Sequence, residues 1–193
     1  MNYSEWLVQE FFESVYDFPK KTHQMYRFAK RKHDDTGVIR RGTGEPYFVH
    51  PEAVAKIVIA YGGNDTEIKA ALAHDTMEDT GATFDDIQEK FGSTVAGIVK
   101  ELTNDNFEIA KSGKLDYMNH KLTTMSKSAL FVKLADILHN STDKCRPDQL
   151  ERMKLNIDYL VANRKDLDGR HWELIDSIME AMGAYNNDEN IRD

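Results

Sequence analysis

"ALAHDTMEDT", residues 71–80, sets His74 beside Asp75 and Glu78 beside Asp79 in a run whose apolar spacing otherwise reads as helix. Residues four apart share a helix face, so His74 neighbours Glu78 and Asp75 neighbours Asp79. All four can line one wall of a cavity. Burying three carboxylates and an imidazole together is costly unless a cation compensates them or water reaches them. A metal ion is the simplest answer, because imidazole nitrogen and carboxylate oxygen both ligate divalent first-row metals, and adjacent residues at a helix end can splay toward one ion. Glu78 and Asp79, one turn on, suit orienting or deprotonating a water more than direct ligation.

Two further positions join this stretch. In "ALFVKLADILHN", residues 129–140, Asp136 interrupts an apolar helix that should be buried. An aspartate is rarely buried without a partner. His50, which precedes Pro51 at the start of a helix, completes a set of two histidines and two aspartates.

Helical periodicity extends almost everywhere, with no sustained alternation of the kind a half-buried strand shows. The expected class is all-α, with helices over about residues 4–16, 20–33, 51–61, 65–76, 84–91, 94–103, 114–125, 128–142, 148–163 and 167–184. Pro19, Pro51 and Pro147 suit first turns, and Thr83 and Ser93 suit caps. Glycines in "YGGND" and "KFGST" end one helix before the next. Only "HDDTGVIRRGTGEPYFVHP", residues 33–51, resists helix, and it reads as an ordered loop carrying Arg40, Arg41 and His50.

Composition limits the function classes. The chain has 193 residues, one length of domain, and no composition shift that marks a second unit. A formal charge of −8 disfavours general binding to nucleic acid or anionic membrane. The acidic N-terminal stretch is unlike a secretory signal, and no apolar run approaches the roughly 18 residues of a membrane span. Cys145, the single cysteine, fits a reducing compartment and reads as a surface or half-buried thiol. A soluble, cytoplasmic protein is expected.

Three blocks carry a family resemblance. "GEPYFVHP" (44–51), "ALAHDTMEDT" (71–80) and "VKLADILHN" (132–140) resemble, in order and spacing, those of the HD-domain phosphohydrolases of the RelA/SpoT alarmone-hydrolase type. With flanking helices such as "TFDDIQEKFGSTVAGIVKELT" (83–103), the resemblance covers about residues 23–143, leaving closing helices at about 148–184. It implies an HD-domain bundle of about ten helices around the ordered loop at 34–50, forming a single unit over 1–193 with no synthetase domain.

The resemblance also implies a chemistry. His50, His74, Asp75 and Asp136 would hold one divalent metal, usually manganese in this family, while Glu78 and Asp79 would assist the attacking water. The bond cleaved would join the 3′ oxygen of guanosine tetra- or pentaphosphate to its pyrophosphate, giving GDP or GTP. Arg41 or Arg40 would stack on the purine, and Asn140 would reach the nucleoside. His139 reads as structural, and Lys133 as a snorkelling surface lysine. Lys111, Lys114 and Lys121 are read either as phosphate contacts or as a solvated helix face.

Two departures bear on the substrate. Asp143 stands where the family usually has a threonine in the pocket, and Gly42 replaces a lysine after the loop arginine. A carboxylate near an anionic nucleotide is unfavourable, which keeps two alternatives open. One is a different nucleotide, such as an adenosine alarmone or one with a 2′ or 3′ phosphate. The other is a non-catalytic nucleotide-binding module, which the intact Glu78 and Asp79 oppose. His120, His171, Trp172, Leu174, Ile175, Ile178 and Met179 have no catalytic role in this reading, the last five being packing residues.

Overall fold

Helix starts here are set by side-chain chemistry. Asn64 accepts from the Thr66 and Glu67 N–H groups while the Glu67 carboxylate accepts from the Asn64 N–H. Thr83 and Asp86 cap the helix at Phe84 in the same reciprocal way. Ser93 does not cap: it lies inside its helix, and Gly92, at φ 90°, takes the cap position that a side chain would strain.

The computed structural model describes residues 17–40, 43–142 and 145–189, with the backbone alone for 184–189. The helix expected at 4–16 lies outside them. After a 3-10 turn at Lys20–Thr22 come α1 (His23–Asp34), α2 (Val49–Ala60), α3 (Asp65–Ala73), α4 (Thr76–Asp79) and α5 (Phe84–Phe91). They are followed by α6 (Ser93–Leu102), α7 (Asn106–Ser112), α8 (Lys114–Thr124), α9 (Lys127–Thr142), α10 (Pro147–Asn163) and α11 (Gly169–Glu189). The fold is all-α. Helix α7 was not expected because it buries no residue and so has no apolar stripe to read.

The centre of the core is α9, whose Ala129, Leu130, Phe131, Val132, Leu134 and Ala135 are fully buried. It packs on α2, α3, α6 and α11. Each large side chain so buried contributes roughly 1.5–3 kcal/mol. Leu174, Ile175 and Ile178 of α11 join the core as expected, but Trp172 is 41% exposed and does not. Cys145 is buried rather than on the surface.

The α2–α3 turn positions the site. A Cβ on Gly63 would overlap the Val58 side chain and come within 2.7 Å of the Val58 carbonyl oxygen, so only glycine permits this close return. The resulting hairpin brings the start of α2, with His50, beside the end of α3, with His74. Helix α9 runs alongside α3, and Ser128 donates to Glu67 Oε1 at 2.9 Å near the far ends of the pair. Arg170 of α11 closes this joint, 3.0 Å from Glu67 Oε2 and stacked over the Phe131 ring.

The described residues of the loop before α2 hold a defined backbone. An antiparallel bridge joins Ile39 to Pro46, the Arg40 N–H donates to Glu45 O, and the Tyr47 N–H donates to Val38 O. This small hairpin delivers Tyr47 and His50 inward. Among the described residues no helix is long and apolar enough to cross a membrane.

Candidate functional site

The sequence 71–80 does not continue as one helix. Helix α3 ends at Ala73, His74 is its C-cap, and Asp75 is the N-cap of the short α4. The interruption lets two adjacent side chains turn toward one point. His74 Nε2 lies 3.2 Å from His50 Nε2 and 3.1 Å from Asp75 Oδ2. Asp136 Oδ1, from the middle of α9, lies 3.1 Å from His50 Nε2 and 3.7 Å from His74 Nε2. His50, His74 and Asp136 are buried and offer ligand atoms all within 4.8 Å of one another. Asp75 Oδ2 adds a fourth donor, 3.6 Å from His50 Nε2.

The ring protons argue for a cation at that point. His74 Nδ1 sits 2.8 Å from Ala71 O, a pure acceptor, so Nδ1 carries the proton and Nε2 of the neutral ring is a lone pair. His50 Nδ1 lies 2.9 Å from His139 Nδ1, and with the proton of that contact on His50 Nδ1 the His50 Nε2 is free in the same way. Two lone pairs and two carboxylate oxygens then converge, an arrangement that repels itself until a positive charge fills it. The donor set therefore fits a divalent metal. Without one, the site draws a proton: burial opposes charge on His74, but Asp75 and Asp136 more than offset it and raise the imidazole to about 9. Burial likewise opposes charge on Asp75 and Asp136, yet His74 holds Asp75, and Lys133 holds Asp136, below the usual carboxylate range.

Several surrounding residues differ from expectation. Lys133 is no surface lysine: it is mostly buried, with Nζ 2.7 Å from Asp136 Oδ2, because three residues of helix bring it back over that carboxylate. Burial opposes its charge, but Asp136 outweighs burial and its ammonium is held above the ordinary value. Lys121 is buried rather than on a solvated face, while Lys111 is exposed and pairs with Glu108. His139, read as structural, lies against the His50 ring. His171 is fully buried and bonded to Asp168 and Lys127 O, away from the centre.

Sequence reading passed over Tyr47 and His33. Tyr47 donates its hydroxyl to Asp75 Oδ2 at 2.9 Å, and burial, with Asp75 and Asp79 behind it, raises its hydroxyl pKa. His33 is buried and stacks on Tyr47 at 5.2 Å between ring centroids. Burial lowers it from 6.5 to about 4, although Asp75 opposes, so the ring is neutral. The signal for Tyr47 was its place in "GEPYFVHP", three residues before His50.

Glu78 and Asp79 stand at the exposed edge of this centre. The Glu78 carboxylate accepts from the Asn104 N–H at 3.1 Å and from Asn104 Nδ2 at 3.3 Å. Asp79 is pushed up by burial, then by Asp75 and Glu78. A cleft of about 690 Å³ is lined by Asp136, Tyr47, Asn104 and Asn140 together with Lys114, Arg146 and Arg152. Asn140 donates to Asp136 Oδ1 at 2.6 Å, and Arg40 also lines the cleft. Arg41 and Asp143 lie outside the described residues.

The chain is 42% identical over 127 residues to the guanosine-3′,5′-bis(diphosphate) 3′-pyrophosphohydrolase MESH1 of Xenopus tropicalis, covering 63% of this chain and 69% of that protein. It is 37% identical over 130 residues to the enzyme of that activity from Aquifex aeolicus, covering 63% of this chain but 17% of the relative. A GTP pyrophosphokinase of Streptomyces coelicolor matches at 28% over 181 residues, covering 90% of this chain and 21% of that protein. The chain thus spans about a fifth of these longer relatives. A solved structure described as a metazoan ortholog of SpoT that hydrolyzes ppGpp superposes with a TM-score of 0.69 at 26% identity, covering 86% of this chain and 98% of the other. The family profile described as "HD domain" matches residues 26–167, within which fall both imidazoles and both carboxylates of the centre, and the chain belongs to that family.

Proposed function

We propose that the protein is a metal-dependent pyrophosphohydrolase that removes the 3′-pyrophosphate of guanosine tetra- and pentaphosphate in the cytoplasm. The observation that carries this reading is the convergence of His50 Nε2, His74 Nε2 and Asp136 Oδ1 within 4.8 Å beneath an open cleft. Asp75 is the fourth member of the set. Likeness to the Xenopus and Aquifex hydrolases supports the choice of substrate. When bound there, a divalent cation, which we assign as manganese, supplies hydroxide at neutral pH and draws charge from a phosphoryl oxygen.

The chain's own residues do the rest. Glu78, aimed by Asn104, takes the proton that the attacking water loses. Asp79, whose carboxyl is held up by burial and by two neighbouring carboxylates, suits return of a proton to the departing ribose 3′ oxygen. Lys133 keeps one positive charge on the cleft wall beside Asp136. Lys114, Arg146 and Arg152 give the cleft a local basic field in a chain of net charge −8, and the cleft volume is in the range of nucleotide-sized pockets. Arg40 or Arg41 would stack on the purine, Asn140 would reach the nucleoside, and Asp143 would border it.

The deciding experiment is product analysis with manganese and guanosine tetraphosphate. Equal amounts of GDP and pyrophosphate are expected; orthophosphate in place of pyrophosphate, or no turnover, overturns the assignment. A panel including an adenosine alarmone and 2′- and 3′-phosphorylated nucleotides measures the preference for guanine.

A further inference from the structure

Lys121 stands out among the lysines. It projects from α8, is 8% exposed, and has no carboxylate within hydrogen-bonding distance among the described residues. Its Nζ instead donates to Leu102 O at 2.7 Å, Thr103 O at 2.8 Å and Asn104 Oδ1 at 3.0 Å. Burial lowers the ammonium to about 8, with Lys133 adding to the effect, so this placement is held against an electrostatic cost.

The first two bonds satisfy carbonyls at the C-terminus of α6, an ordinary capping task. The third does something capping does not require. An asparagine amide can present either its oxygen or its nitrogen, and the ammonium accepts only the oxygen as partner. With Oδ1 so engaged, Nδ2 faces the other way, onto Glu78 Oε1. The backbone is fixed too: the Asp105 N–H donates to Tyr117 OH at 2.8 Å, one helical turn before Lys121, so α8 grips the residues on both sides of Asn104. Asn104 lines the cleft, and Glu78 receives both of its N–H donors.

We infer that Lys121 is a positioning residue for the hydrolytic reaction: through the cleft-lining Asn104 it fixes the orientation of the Glu78 carboxylate. The inference rests on the reading of Glu78 as the group that directs the attacking water. It assigns Lys121 no contact with phosphate. A capping role alone predicts lost stability; the relay also predicts slower turnover at unchanged metal affinity.

Asn104→Asp tests the relay with the least disturbance, because it keeps the oxygen that Lys121 binds and replaces the donor facing Glu78 with a repelling carboxylate. With guanosine tetraphosphate and manganese, kcat should fall at least about tenfold, while manganese affinity by calorimetry and KM stay within about twofold. Lys121→Met should act in the same direction, with its thermal midpoint recorded to confirm folding. In a Glu78→Gln background, Asn104→Asp should change the residual rate less than about twofold, the non-additivity expected of groups acting as one unit. Parental kcat in Asn104→Asp, or a joint loss of manganese affinity and turnover, overturns the relay. If the parent protein cleaves no guanosine tetraphosphate, the functional reading has failed, and nitrogen-resolved NMR still decides the geometry. The Asn104 side-chain NH2 resonances should be displaced from free-amide positions and should return toward them in both Glu78→Ala and Lys121→Met. Unchanged resonances in either variant refute it.

Discussion

Tyr47 and Asp75 are joined by a 2.9 Å hydrogen bond from the phenol hydroxyl to Oδ2, the same oxygen that faces both histidine Nε2 atoms. The bond fixes which lone pair of Asp75 remains for a cation. Tyr47→Phe keeps the stacking on His33 and removes only the hydroxyl, so manganese affinity should fall about tenfold, within the range for outer-shell partners. Calorimetric titration of the folded variant measures it; unchanged affinity removes Tyr47 from the centre.

Asp136 and Glu78 should separate binding from chemistry. Asp136→Ala removes an oxygen shared by both imidazoles and should abolish manganese binding and turnover together. Asp75→Ala should do the same. Glu78→Gln should leave manganese bound and reduce kcat at least about 100-fold, the scale of a general base. Turnover by Glu78→Gln at the parent rate would remove the assigned base.

His33 should make stability fall on the acid side. Its ring titrates near 6.5 when unfolded and about 4 when folded, so between these values the unfolded chain binds more protons. The contribution is fully present above pH 6.5 and is lost as pH falls through 4, on the order of 3 kcal/mol in all. Urea unfolding of metal-free protein should show His33→Phe with a shallower decline over that window. Parallel declines in parent and variant would contradict it.

Gly63→Ala should cost about 2 kcal/mol, because the new methyl overlaps Val58 at a turn with no slack. The urea midpoint reads this directly. Gly81→Ala, where a Cβ meets nothing within 4 Å, isolates the strain of positive φ alone.

Much of this site was legible because its chemistry is written in short local blocks. His50, His74, Asp75 and Asp136 stood out as polar groups within apolar helices, and the apolar spacing that made them anomalous also located the helices. What escaped notice depended on burial and on contacts between helices. Lys133 looked like a snorkelling lysine because the helix sequence, although it places Asp136 three residues away, does not show that the ammonium stays inside with that carboxylate. Lys121 stood open between a phosphate contact and a solvated face because its acceptors include carbonyls at the end of another helix, which leave no mark in composition. Helix α7 and the break at His74 share a cause: short helices at the surface or at a ligand site are set by capping and by tertiary demand, not by an apolar stripe.

The joint among Glu67, Ser128 and Arg170 bears on where the unit can be cut. The stretch shared with the family ends at residue 167, yet the guanidinium neutralising Glu67 arrives only with residue 170. A truncation at the shared boundary would strand that carboxylate, 1% exposed in its side chain, at the foot of the helix bearing His74. The family profile alone would thus leave out the residue that neutralises Glu67, and a closing helix remote from the imidazoles underpins the helix that carries one of them.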